Sequence, residues 1–225
     1  MGGFLLYFAI LLIVPIWAQM KVKKAYSKYS KVPSSSGMSG AQIARKILDD
    51  NGLFDVNIEE VRGKLSDHYD PRTKTVRLST DNFHGDSIAG AAIAAHEVGH
   101  AIQDAENYAF LRFRHALVPV AGLGSNFSFI VIIAGLLLQQ ANLILLGIIF
   151  MAAAVLFQVV TLPVEFNASS RAMNQVVALG VIRNDEERET KKVLDAAALT
   201  YVAAALVAVM ELLRFILIYA GMQRD

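Results

Sequence analysis

The chain has 225 residues, 55% of them hydrophobic, and a net charge of +1. That is too apolar for an ordinary soluble domain and too nearly neutral for overall charge to mark a nucleic-acid partner. It has no cysteine, which excludes a disulfide framework and any thiolate metal site; a metal here must take histidine and carboxylate ligands.

Taken in order, residues Gly3 to Gln19 form a continuous apolar run just long enough to span a bilayer. No Lys or Arg precedes it, and Lys21, Lys23, Lys24, Lys28 and Lys31 follow at once. The run therefore reads as a first membrane helix (residues 1–20) with its N-terminus outside, rather than as a cleaved signal. Pro33-Ser34-Ser35-Ser36-Gly37 is a flexible joint. A small polar α+β domain follows, within a cytoplasmic segment spanning 21–115. Ser39 is placed to cap a helix reaching Asp50, with Ile43, Ile47 and Leu48 on one stripe and Asn51-Gly52 as its stop. Val56, Ile58 and Val61 suggest a strand. Asp70-Pro71-Arg72-Thr73 reads as a turn, and Thr75 to Ser79 alternates as a half-exposed strand whose edge can align an extended peptide.

The next stretch, Ala94-Ala95-His96-Glu97-Val98-Gly99-His100-Ala101, carries the chemistry. Asp86-Ser87 is a suitable N-cap and the alanines from Ala89 to Ala95 favour a helix. On a helix, His96 and His100 lie one turn apart on one face. Two imidazoles so placed can share a zinc ion, and Glu97 then stands beside the activated water as general base. The apolar stretch from Ile88 to Ile102 is short for a bilayer, so this helix is expected on the cytosolic side, near the membrane surface.

Three further spans are expected, at about Leu117–Leu138, Leu143–Leu162 and Ala196–Tyr219. They divide the remainder into a hairpin (116–162), a polar loop (163–195) and a last helix with a short tail (196–225). Lysine and arginine number fourteen in residues 20–115 and five in 163–195, with none in the turn at 139–142. Both charged segments thus belong on the cytoplasmic side. Glu211 and Arg214, inside the fourth span, are expected to pair with each other.

A catalytic zinc needs a third protein ligand. Asp104 is two turns from an ion held between His96 and His100 and is expected to cap or pair instead; Glu106 points elsewhere. No carboxylate occurs from Asn107 to Val164. Glu165, where the third span returns to the side that holds the histidines, is the favoured ligand, and Asp195 is a weaker candidate. For stabilising an oxyanion, His84, Arg171 and Tyr201 are weak candidates; His68 and His115 read as surface or structural residues.

These residues carry a resemblance. His96 to Gln103, preceded by Tyr69-Asp70-Pro71-Arg72-Thr73 and followed by Pro163-Val164-Glu165-Phe166-Asn167-Ala168-Ser169, resembles the bacterial neutral zinc metallopeptidase family of YugP type, and Val193 to Ala204 is similar to it as well. A more distant similarity is to membrane zinc proteases of the prenyl-protein and heat-shock type. Those carry a glutamate ligand with an aspartate a few residues on, where this chain has Asn167 and Ser169. The resemblance implies a membrane-anchored, zinc-dependent peptidase and no particular physiological substrate; proteins or peptides, membrane proteins among them, are the substrates expected for a site at the membrane surface.

The sequence therefore predicts a mainly α membrane protein of four transmembrane helices with a small zincin-like cytoplasmic domain carrying the His-Glu-x-x-His helix, set in the inner cell membrane. Zinc is held by His96, His100 and Glu165, and Glu97 is the catalytic base. The rival from another class is a non-catalytic membrane scaffold or chaperone with a structural zinc site.

Overall fold

The computed structural model describes residues 2–223; Arg224 and Asp225 of the expected tail lie outside the described residues. The elements run α1 (Gly2–Tyr29), α2 (Gly40–Asp50), β1 (Asn57–Val61), β2 (His68–Asp70), β3 (Thr75–Ser79), α3 (Thr80–His84), α4 (Ile88–Ala105), α5 (Ala109–Leu137), α6 (Ala141–Ala178) and α7 (Asn184–Met222). The molecule is thus mainly helical with one small sheet. Among the described residues four segments are long and apolar enough to cross a membrane: Leu5–Tyr29, Ala109–Leu137, Ala141–Ala178 and Asn184–Met222. The helix bearing the two histidines, α4, is not one of them.

By contacts the chain forms two compact units. The first comprises the described parts of Met1–Leu12, Ala109–Pro163 and Tyr201–Asp225. Its core joins Ile132 of α5, Ile144, Ile148, Met151 and Val155 of α6, and Phe215 of α7. A Cβ on Gly124 would strike the Phe150 carbonyl, so the missing side chain lets α5 and α6 lie backbone to backbone. Glu211 and Arg214 pair at 2.7 Å, as expected, and Tyr7 of α1 donates its hydroxyl proton to the same carboxylate. The guanidinium also lies over the Phe215 ring, 4.5 Å from its centre.

The second unit, Ile13–Tyr108 with Val164–Thr200, holds the residues of the chemistry. Ser39 caps α2 in a reciprocal box with Gln42, and Ile43, Ala44, Ile47 and Leu48 form its buried face. Gly52 ends it at a φ of 71° that favours glycine. Arg45 then donates to the carbonyls of Leu53 and Val56, both at 2.8 Å, and so holds the connection into the sheet. The sheet has the order β1-β3-β2, with β1 parallel and β2 antiparallel to β3. Val76 and Leu78 of β3 are fully buried in the same core as α2 and α4. Ser87 caps α4 by accepting from Gly90 N at 3.0 Å. The small residues of α4, Ala89, Ala91, Ala92, Ala94, Ala95 and Ala101, are all buried, so this helix is enclosed on several sides.

Three features depart from the sequence reading. First, β3 is the central strand and not an edge: β1 and β2 occupy both sides, so it cannot align a peptide by edge pairing. Second, His68–Asp70 forms a strand, β2, too short to show alternation; its pairing with Thr75–Arg77 makes it one. Third, the segment 163–195 is mostly helix. α6 continues through Pro163 to Ala178, and α7 begins at Asn184. The cause is a stripe at every fourth residue, Val164, Ala168, Ala172 and Val176, each fully buried. Tertiary burial of that stripe outweighs the proline's missing donor.

At Gly99, between the two histidines, a Cβ would lie 2.7 Å from the Ala168 carbonyl oxygen. Gly99→Ala should force α4 and α6 apart and destabilise the protein by about 1–3 kcal/mol, the range for overpacking a close contact. Denaturant unfolding in detergent measures it; an unchanged midpoint would show that this approach is not tight.

Candidate metal and catalytic site

Each side chain of the site is aimed by one of two helices. α4 places His96 and His100 on one face, with ring centres 4.8 Å apart and planes at 83°. α6 brings Glu165 to them because its buried stripe packs in the same unit and its Ala168 sits over Gly99. His96 Nε2 lies 3.3 Å and His100 Nε2 3.6 Å from the same carboxylate oxygen, Glu165 Oε2. The three residues present ligand atoms all within 4.8 Å of one another. Glu165 is only 2% exposed, and a buried carboxylate needs partners.

This donor set fits a zinc ion. Two imidazole nitrogens and one carboxylate oxygen are the ligand types of a catalytic site. Tetrahedral bonds of about 2.0–2.1 Å put neighbouring donors about 3.3–3.4 Å apart, close to the two nitrogen-to-oxygen distances found. Behind the rings, both Nδ1 atoms are held by side chains. Ser169 Oγ lies 3.2 Å from His96 Nδ1, and Gln103 Oε1 lies 3.0 Å from His100 Nδ1. Such partners orient metal-binding histidines. Gln103 is itself fully buried and donates to the Val164 carbonyl at 2.8 Å and to Asn167 Oδ1 at 2.9 Å.

Electrostatics separate the ionisable groups. Burial pushes the Glu97 carboxyl above its ordinary value, and the charges of Glu165 and Asp67 add to that; His96 and His100 oppose it. Burial works to lower the His100 value, but the hydrogen bond and charge of Glu165, with help from Glu97, raise it overall. Asp67 belongs to a polar cluster with Ser79 and Asn82. It accepts from Ser79 N at 2.7 Å and from Asn82 Nδ2 at 3.0 Å, and Tyr26 donates to Asn82.

Other residues singled out by sequence go elsewhere. Asp104 accepts from the Tyr69 hydroxyl at 3.0 Å. Asp195 is an exposed partner of Lys191 at 2.9 Å. His84 is exposed and meets Glu60 at 3.1 Å, and His68 Nδ1 lies 2.8 Å from the Ser66 carbonyl. Arg171 pairs with Glu106 at 2.6 Å and donates to Asn167 at 2.7 Å. Tyr201 stands on α7 in the first unit. The sequence reading gave Gln103 no role and noted Ser169 only as standing, with Asn167, near the place where the more distant relatives carry an aspartate. Gln103 stands three residues after His100 on α4, a spacing that helix geometry alone makes a neighbour, and Ser169, four after Glu165, would have been found had 163–178 been read as helix.

A family model described as "Putative neutral zinc metallopeptidase" matches residues 4–220. The chain is 56% identical over 203 residues to "Putative membrane protease YugP" of Bacillus subtilis (strain 168), covering 90% of each chain. No solved structure matches.

The raised Glu97 value has a signed consequence for the metal-free protein. A carboxyl that holds its proton more tightly when folded loses stability as pH rises from the unfolded value through the folded one. Glu97→Gln removes that loss. Without metal, the variant should melt above wild type at neutral pH, and the gap should close as pH falls below the ordinary carboxylate range. A constant gap across that range would contradict it.

Proposed function

The chain belongs to the "Putative neutral zinc metallopeptidase" family, and on that premise we propose that it is a membrane-embedded, zinc-dependent endopeptidase acting on protein or peptide substrates, including membrane proteins, at the cytoplasmic face of the inner membrane. The observation that carries this reading is the convergence of His96, His100 and Glu165, with Glu97 beside the first histidine. His96, His100 and Glu165 would hold the metal. Zinc, when bound, supplies a Lewis acid that polarises a peptide carbonyl and makes a water nucleophilic near neutral pH. Glu97 takes a proton from the attacking water and delivers it to the departing amine nitrogen, so one carboxyl serves both halves of the hydrolysis. In this reading residues 21–115 form a zincin-like cytoplasmic domain, and residues 163–195 return Glu165 to it.

A scaffold or chaperone with structural zinc is the competing reading. A structural site has no use for a base, so Glu97 separates the two. We expect about one zinc per chain, lost in His96→Ala and His100→Ala. Glu97→Gln should keep the metal and lose casein or peptide cleavage by about 100- to 10,000-fold. Equal activity in Glu97→Gln, or full zinc in the double histidine variant, would overturn the assignment. Glu165→Gln should cost more affinity than the roughly 10–100-fold typical of outer partners, while Asp104→Asn and Asp195→Asn stay near wild type.

Sidedness has its own test. Single cysteines at Ser35 and Asn184 should resist an impermeant thiol reagent in intact cells, and one at Gln223 should react. Labelling at Ser35 would place the site outside.

A further inference from the structure

The surroundings of Gln103 dictate which way its amide points. Its Nε2 faces the Val164 carbonyl at 2.8 Å and Asn167 Oδ1 at 2.9 Å. A backbone carbonyl can only accept, so the nitrogen must be the atom on that side. Asn167 Oδ1 is likewise an acceptor, because Arg171 Nε, which can only donate, reaches it at 2.7 Å. Glu106 holds Arg171 in turn, at 2.6 Å. Both amide hydrogens are thus used, and Oε1 is left facing His100 Nδ1 at 3.0 Å. That oxygen can only accept. His100 must therefore carry its proton on Nδ1, and a neutral ring then has its lone pair on Nε2, the atom 3.6 Å from Glu165 Oε2.

We propose that Gln103 is a positioning residue of the site: it fixes His100 as the Nδ1–H tautomer with Nε2 free for a metal, and the same amide ties that histidine to the turn of α6 carrying Glu165. The inference rests on the zinc reading above. A purely structural role explains less. Val164 lies inside α6, where its carbonyl already accepts from the helix, so it does not require a second donor. Burying a whole amide there is costly without a further gain. His96 differs: the Ser169 hydroxyl at its Nδ1 can donate or accept, so it steadies the ring without choosing a tautomer. The polarity of the site is therefore set from the His100 side, by a chain of bonds running from Glu106 through Arg171, Asn167 and Gln103.

The test uses the full-length protein in detergent. Chelator competition should show zinc affinity falling about 10–100-fold in Gln103→Met, the usual effect of losing an outer partner. Wild-type affinity in Gln103→Met would overturn the proposal. A wild type that binds no zinc would instead overturn the zinc reading. One measurement needs no metal and no substitution at Gln103: nitrogen-15 histidine spectra of the zinc-free wild type at alkaline pH, with His100 assigned by comparison with His100→Ala. The expected signal is the Nδ1–H tautomer; an Nε2–H tautomer at His100 would refute the proposal directly.

Discussion

The seam between α4 and α6 is the contact on which the site depends. Gly99 has no side chain, so the Ala168 carbonyl can lie against it. That approach brings Glu165, one turn earlier on α6, to the two imidazoles flanking Gly99. Fully buried Val164, Ala168, Ala172 and Val176 keep α6 in register. A slip of one residue along this seam would rotate Glu165 by about 100° about the helix axis and take it off the histidines. The metal ligands and the apolar packing are therefore one arrangement.

Buried polarity at the seam centres on the Gln103 amide, each end of which meets a partner of opposite role. Gln103 is fully buried and both donates and accepts. A half-satisfied amide in that place would be worse than an apolar side chain, because an unpaired buried polar group costs about 1–3 kcal/mol. Glu165, buried nearby, meets both imidazoles through one carboxylate oxygen. Below, Asp67 binds the end of β3 and the start of α3 through Ser79 and Asn82, so the sheet and its following helix keep their place.

Much of this was legible from sequence because the signals were local. His96 and His100 are read by spacing alone, α2 by its cap and stripe, and Glu165 by being the first carboxylate after a long apolar stretch. The structure brings those three side chains together. The helix beyond Pro163 was hidden because proline and the polar residues after it resemble a loop, while the stripe that sustains the helix gains its stability only by packing in the second unit. β2 was hidden because three residues carry no period, and with it went the central position of β3. Gln103 is an unremarkable residue in a string; its meaning appears only once α6 supplies a carbonyl and an amide for it to meet.

The central claim is that one ion is held between α4 and α6 by two imidazoles and a carboxylate. X-ray absorption at the zinc edge of the loaded full-length protein tests it most directly. The account predicts nitrogen and oxygen neighbours alone at about 2.0–2.1 Å, with the outer scattering of two imidazoles, which falls to one in any metal still retained by His100→Ala. Scattering from fewer than two imidazoles in the wild type, or an unchanged pattern in His100→Ala, would contradict it.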